Sequence, residues 1–260
     1  MTEQSLPNIE TLLIEKSGAI ARVILNRPAK RNSLDRELIA GLTRAFHALA
    51  EDDSVSVIIL SGAGGHFCSG LYLNYLQEIN KFGHEENLKD SERFLNLLLA
   101  IYRCRKPVIA QVAGYALAGG CGIASACDLV IAADTATFGY TEVRFGFVPA
   151  LVSAFLIKRV GESHAKDLLL TARFVDATEA QTMGLVNKVV AADMLETTTN
   201  EYAALLEKNT ASSLAHTKDM FEKIGDLPLQ SALNYARDLN AEVRQTEDFK
   251  KGLAGILKRL

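Results

Sequence analysis

Lys106–Gly122, KPVIAQVAGYALAGGCG, opens on β-branched and small apolar residues, ends in a glycine cluster and runs straight into IASACDLVIAA, Ile123–Ala133. The pattern predicts a buried strand that delivers the chain to a glycine-opened helix N-terminus. The first turn of such a helix leaves backbone N–H groups without intrahelical acceptors, and its dipole favours negative charge there. Gly119 and Gly120 therefore mark a candidate oxyanion site. Taken alone, two adjacent glycines equally suit any tight strand-to-helix turn.

Two further segments give that site partners. His66–Leu73, HFCSGLYL, follows the apolar strand Val55–Leu60 and the turn SGAGG, so a second backbone N–H can be offered just after Gly70. Phe138–Pro149, FGYTEVRFGFVP, carries one carboxylate, Glu142, between apolar neighbours. Partial desolvation would raise its proton affinity, which suits a group that must accept and return a proton. Two amide donors and one acid are a kit for enolate chemistry, the donors holding a thioester oxygen as it becomes negative.

The order and spacing of these three pieces resemble the crotonase (enoyl-CoA hydratase/isomerase) superfamily. The resemblance runs from Ala19 to Arg259 and takes in NRPAKRNSL at Asn26–Leu34 and TARFVDATEAQTMGLVNKVV at Thr171–Val190. It implies an α/β fold, a crotonase-like spiral of repeated ββα units over residues 1–190, followed by a C-terminal helical trimerisation region over 191–260. It also implies a homotrimer or homohexamer, with Glu142 as acid/base and the N–H groups of Leu71 and Gly119 as the oxyanion donors. A coenzyme A thioester substrate would lie along Arg31, Ser69, Leu71, Tyr72, Leu73, Gly119 and Gly120, with no permanently bound cofactor and no metal. In the family the NRP segment borders the coenzyme A nucleotide, so a phosphate contact is expected from the cluster Arg27, Lys30 and Arg31. Arg31 is carried into the candidate set, and which of the three makes the contact stays open. Lys258 and Arg259 match a terminal basic element that reaches coenzyme A from a neighbouring subunit.

Two departures bear on the reaction. Tyr72 stands where the family usually has Asp, and Gly122 stands where typical hydratases have a second Glu. EVRFGFVPA and TARFVDATEAQTMGLV resemble hydratases, whereas a lone Glu is what Δ3,Δ2-enoyl-CoA isomerases retain. Hydratase chemistry is the leading expectation and isomerisation the alternative. An acyl-CoA hydrolase and a non-catalytic coenzyme A-binding protein of this fold are further alternatives. Aromatic dehalogenation lacks its nucleophile, which would fall at Ala150. If the site is merely short of a water-positioning group, Gly122→Glu should raise hydration. Tyr140 is expected to pack as an aromatic wall, its hydroxyl near the vacated position being the other reading. Leu73, Leu76, Phe145, Phe147 and Val152 suggest an apolar acyl pocket.

Composition narrows the field. At 260 residues and 48% hydrophobic, the chain can bury a substantial core, and a net charge of −3 gives no field to attract nucleic acid or an anionic membrane. The four cysteines, Cys68, Cys104, Cys121 and Cys127, form no CxxC pair and read as buried free thiols. The N-terminal segment is acidic where a signal peptide would be basic, and no run reaches the roughly 18 apolar residues of a membrane span. A cytoplasmic protein is expected.

The alternation along the chain predicts a hairpin of Thr11–Glu15 with Ala19–Leu25, then a helix capped by Asn32 or Ser33 and ending near Ala50. Next come a helix at Ser91–Arg103, strands at Val108–Val112 and Leu129–Ala133 around the Gly119 helix, and a short strand at Leu185–Val190. Helices are expected at Leu195–Lys208, Ser212–Ile224, Leu229–Gln245 and Thr246–Lys258.

Overall fold

The computed structural model describes residues 9–258. Strands β1 (Leu12–Ser17) and β2 (Ile20–Leu25) form the expected antiparallel hairpin, turning at Gly18 with φ 58°. Helix α1 (Arg36–Glu51) and β3 (Val57–Gly62) follow, then α2 (Leu73–Ile79) and α3 (His84–Tyr102). Next are β4 (Val108–Val112), β5 (Tyr115–Leu117), α4 (Gly119–Ala126), β6 (Leu129–Ala133) and β7 (Thr137–Gly139). The chain continues through α5 (Ala150–Thr171), kinked at Gly161, β8 (Val175–Asp176), α6 (Ala177–Thr182) and β9 (Lys188–Val190). Helices α7 (Leu195–Glu207), α8 (Ala211–Ile224), α9 (Leu229–Val243) and α10 (Glu247–Leu257) complete it. Arg259 lies outside the described residues.

The strands make a six-stranded sheet ordered β1-β2-β3-β4-β6-β9, parallel from β2 onward, and a three-stranded sheet ordered β5-β7-β8. Parallel strands joined by helices are covered on both faces, which explains why β3 and β4 read as nearly unbroken apolar runs. The two-residue period of a strand then sorts each run. Ile58, Leu60, Val108, Ala110, Val130 and Ala132 join the main core with α1, α3 and α4. Val57, Ile59, Ile109, Ile131 and Ala133 face the other way and meet Leu195 and Ala203 of α7.

Helix α1 starts later than its sequence suggested: Asn32 is committed elsewhere, and the buried Ser33 hydroxyl has no hydrogen-bond partner. Asn32, at φ 55°, accepts from Arg27 N (2.8 Å) and donates to the carbonyls of Ala63 (2.9 Å) and His66 (2.6 Å). Asp35 is the cap instead, its carboxylate accepting from Leu38 N at 3.0 Å. Strand β3 begins at Val57 rather than Val55, whose N–H is used by the turn carbonyl of Asp52. Strand β9 begins at Lys188 rather than Leu185, whose N–H goes to Ala180 O at the end of α6.

Candidate active site

Two loops converge on the start of α4. Leu34 N donates to Gly70 O and Tyr72 N donates to Leu34 O, both at 2.8 Å, so the Leu71 amide between them turns away from Leu34. Gly70, at φ 89°, presses on the strand-to-helix turn: a methyl group there would stand 2.9 Å from Ala118 Cβ and 3.6 Å from Gly119 N. The Leu71 and Gly119 amides thus border one small region. Neither has a protein acceptor among the described residues. The first intrahelical bond of α4 is made by Gly122 N to Ala118 O at 3.0 Å, as the orphan-donor geometry of a helix start requires.

Glycine at 120 has a packing reason. A Cβ there would lie 2.3 Å from the Cys68 carbonyl oxygen, so only a bare Cα lets α4 approach the FCSG loop. Ala118 pays for the turn with a left-handed φ of 49° and is held by its N–H donating to Gly139 O at 2.7 Å. That bond joins the turn to β7, and three residues after Gly139 the chain reaches Glu142.

Glu142 opens a single 3-10 turn, Glu142–Phe145, closed by Gly146 at φ 79°. It is 5% exposed, and Oε2 has no hydrogen-bond partner. Burial raises its pKa above the ordinary carboxylate range, opposed by the backbone N–H groups of Glu142 and Thr141. No neighbouring charge contributes to that shift.

Other sequence expectations are refined. Tyr140 is buried and its hydroxyl lies 2.9 Å from Ser125 Oγ, making it an aromatic wall with its polar end satisfied. Cys68 and Cys121 are buried, and desolvation pushes both thiols up to about 12, far from nucleophilic range. Leu73, Phe145 and Phe147 do not form a closed pocket wall: they are 73%, 58% and 54% exposed, because α2 and the 3-10 turn place them on the outside. Of the same set, Leu76 is half-buried and Val152 is buried at 3%. Gly122 is not an empty slot either, since a Cβ there would stand 2.1 Å from Val152 Cγ1. Gly122→Glu alone therefore meets the neighbouring helix. Neither Val152 nor Phe94, whose Cζ lies 3.2 Å from where a Gly119 Cβ would stand, was marked by local spacing as a neighbour of α4.

The NRPAKRNSL segment joins the FCSGLYL loop through Ser69 N to Arg31 O at 3.1 Å. Arg27 is half-buried and paired with Asp35 at 2.6 Å, while Lys30 Nζ sits 4.3 Å and Arg27 5.4 Å from the centre of the Tyr72 ring. Tyr72 in the place of an Asp is thus a cation platform. Exposed Arg31 lies 5.4 Å over Tyr115, which stacks on His66 at 4.7 Å. A surface cleft of about 320 Å³ beside Tyr72 is lined by Arg27, Lys30, Arg36, Asn74, Tyr75 and acidic neighbours, Glu142 not among them.

Residues 15–260 match the family model for enoyl-CoA hydratase/isomerase. The chain belongs to that family. A Thermus thermophilus protein assigned as an enoyl-CoA hydratase is 39% identical over 246 residues, spanning 95% of this chain and 97% of that one. The short-chain-enoyl-CoA hydratase of Clostridium acetobutylicum is 32% identical, with 96% of each chain covered. A Legionella pneumophila crystal structure described as an enoyl-CoA hydratase/isomerase (crotonase) superposes with a TM-score of 0.90 at 32% identity, covering 97% of this chain and 98% of that one. The protein is an enzyme of the enoyl-CoA hydratase/isomerase family, and its fold is the crotonase fold. Among the described residues, no helix is long and apolar enough to cross a membrane.

Proposed function

We propose that this enzyme binds a coenzyme A thioester, holds the thioester oxygen between the Leu71 and Gly119 amides, and moves protons with Glu142. The observation that carries the proposal is the pairing of two acceptor-free amides at one turn with a buried, uncompensated carboxylate delivered from the adjoining strand β7. Hydration of a 2-enoyl-CoA is the reaction favoured by the names of its relatives. Glu142 carboxylate takes a proton from water as the oxygen bonds to C3. The electron pair of the C2–C3 double bond passes onto the thioester oxygen, and the resulting enolate collapses as C2 receives a proton from Glu142. The donors are worth most in the enolate, where the oxygen is negative. The Arg27–Lys30–Tyr72 surface and Arg31 are offered to the nucleotide phosphates, with no other cofactor. The exposed apolar residues of α9 and α10 support a homotrimer or homohexamer.

A second reading is favoured by Val152 at Gly122, which leaves a single carboxylate. Glu142 could take the C2 proton of a 3-enoyl-CoA and return it at C4. Both readings depend on Glu142, so Glu142→Gln should cut turnover by roughly 100-fold or more while acyl-CoA affinity changes little. Product identity by mass spectrometry with 2-enoyl- and 3-enoyl-CoA separates the two, and full activity in the variant removes both. As a base Glu142 must be ionised, so the acidic limb of the rate profile should lie above the ordinary Glu value of about 4.3. Because its folded pKa is raised, the stability carried by protonated Glu142 is lost as pH rises through that pKa. Glu142→Gln should therefore melt higher than wild type near neutral pH.

A further inference from the structure

Position 122 lies one turn beyond Gly119 on the same face of α4, since residues three apart on a helix are neighbours. The two glycines have different surroundings. At Gly119 a Cβ would approach the tip of the Phe94 ring at 3.2 Å, a contact that a small shift relieves. At Gly122 it would lie 2.1 Å from Val152 Cγ1 and 2.8 Å from Val152 Cβ, so the two side chains would occupy the same space. Val152 comes from the first turn of α5, which packs on α4, and is 3% exposed. It follows by three residues the buried Pro149 that ends the Glu142 segment, and the charge of Glu142 is felt at Cys121, the residue beside Gly122.

We infer that Val152 determines the reaction type of this site: its methyl groups occupy the volume beside Gly122 where a second polar group would stand, leaving Glu142 to move every proton. The inference rests on the acyl-CoA reading above. A lone carboxylate suffices for a proton shift, because the proton removed at C2 returns at C4 and no atom is gained or lost. Water addition also needs an oxygen held at C3 while its proton ends on C2. A branched hydrocarbon wall offers that water no hydrogen bond. Val152 thereby restrains hydration relative to isomerisation, and it is the partner that keeps position 122 a glycine.

Two measurements test this. In a melting cycle of wild type, Gly122→Ala, Val152→Gly and the double variant, Gly122→Ala should lower Tm by several degrees alone and by less than half as much when Val152 is Gly. In turnover, Gly122→Glu should hydrate a 2-enoyl-CoA at least tenfold more slowly than wild type. Gly122→Glu/Val152→Gly should recover the wild-type rate or exceed it, with less isomer formed from a 3-enoyl-CoA. If Gly122→Glu fails to fold, Val152→Thr, nearly isosteric, should raise the hydrated share of product at least threefold. Equal melting losses in both backgrounds would overturn the inference, as would a Gly122→Glu variant that hydrates as fast as the double variant, or an unmoved product share in Val152→Thr. A wild type that neither hydrates nor isomerises would sink the acyl-CoA reading and the reaction-type assignment with it, while the melting cycle would still report whether Val152 fills the space.

Discussion

Helices α4, GGCGIASA, and α10, EDFKKGLAGIL, both carry glycine, alanine and isoleucine, yet all eight residues of α4 are buried and none of α10 is. Helix α4 is enclosed by the FCSG loop, α3 and α5, and the side chains it lacks at Gly120 and Gly122 are explained by atoms already in the way. Helix α10 carries Phe249, Leu253 and Ile256 at the spacing of one helical face, all more than 40% exposed. The pattern of α4 is dictated by packing within this chain. The apolar face of α10 is left largely uncovered by the described residues, although Asp248 on the same helix accepts from Ser212 Oγ at 2.5 Å. Helix α7 lies between these extremes, giving Leu195 and Ala203 to the back of the sheet, so the helical region after residue 190 is not of one kind.

The largest expected effect comes from adding a single methyl group to α4. Gly120→Ala forces a Cβ to within 2.3 Å of the Cys68 carbonyl. A loss of roughly 3 kcal/mol is expected by chemical denaturation, together with loss of turnover. An unchanged midpoint would break the contrast between the two helices.

An intermediate effect is expected where α8 is tied to the core. Lys218 donates to the Lys106 carbonyl at 3.0 Å and is ion-paired with Asp128, which also accepts from Val108 N at 2.7 Å. Desolvation raises the Asp128 pKa and Lys218 opposes it. Removing Lys218 as Met strands that carboxylate, at a cost of about 2 kcal/mol given its partial exposure. Protonation relieves an unpaired carboxylate, so the deficit should shrink between pH 7 and pH 5 in parallel denaturation curves.

The smallest effects belong to α10. Gly252 has nothing within 4 Å of an added Cβ, so Gly252→Ala should raise stability by roughly 0.5–1 kcal/mol. Leu253→Asp should leave the stability of the single chain within about 0.5 kcal/mol. If this face is covered in a trimer or hexamer, the same change should reduce the mass seen by light scattering toward the 28.3 kDa of one chain. A wild type that is already monomeric at micromolar concentration would show that α10 needs no cover.

What the sequence made legible follows from which forces act locally. Strands β4 and β6 have the boundaries read from their apolar runs, and the α4 start was marked by its glycines, because period and backbone freedom leave direct traces. Strands β5 and β7, three residues each, are too short for a period and exist through tertiary pairing: Tyr115–Leu117 reads as a continuation of VAGYAL until Thr137–Gly139 lies beside it. Asn32 looks like a helix cap from its residue type, but its hydrogen bonds go to a loop some 30 residues away. For the site, Glu142 and the two amide positions could be picked out by order and spacing. Val152 is legible only as an apolar residue suited to an acyl pocket, because nothing in FVPALVSAF announces that its side chain ends against a glycine 30 residues earlier.

The Ala118 N–H to Gly139 O bond makes the separation of amide donor and acid a short mechanical linkage. From Gly139 to Glu142 there are only three peptide units, and the bond at 2.7 Å closes the chain back onto the α4 turn. Breathing of the outer helices can proceed without altering where Glu142 and the α4 turn sit relative to each other. Loosening at Gly139 would release both together. In hydrogen-exchange terms, the Ala118 amide is a single reporter for the integrity of the proposed site: its protection should track turnover across destabilised variants, whereas amides of α10 should exchange freely in variants that remain fully active.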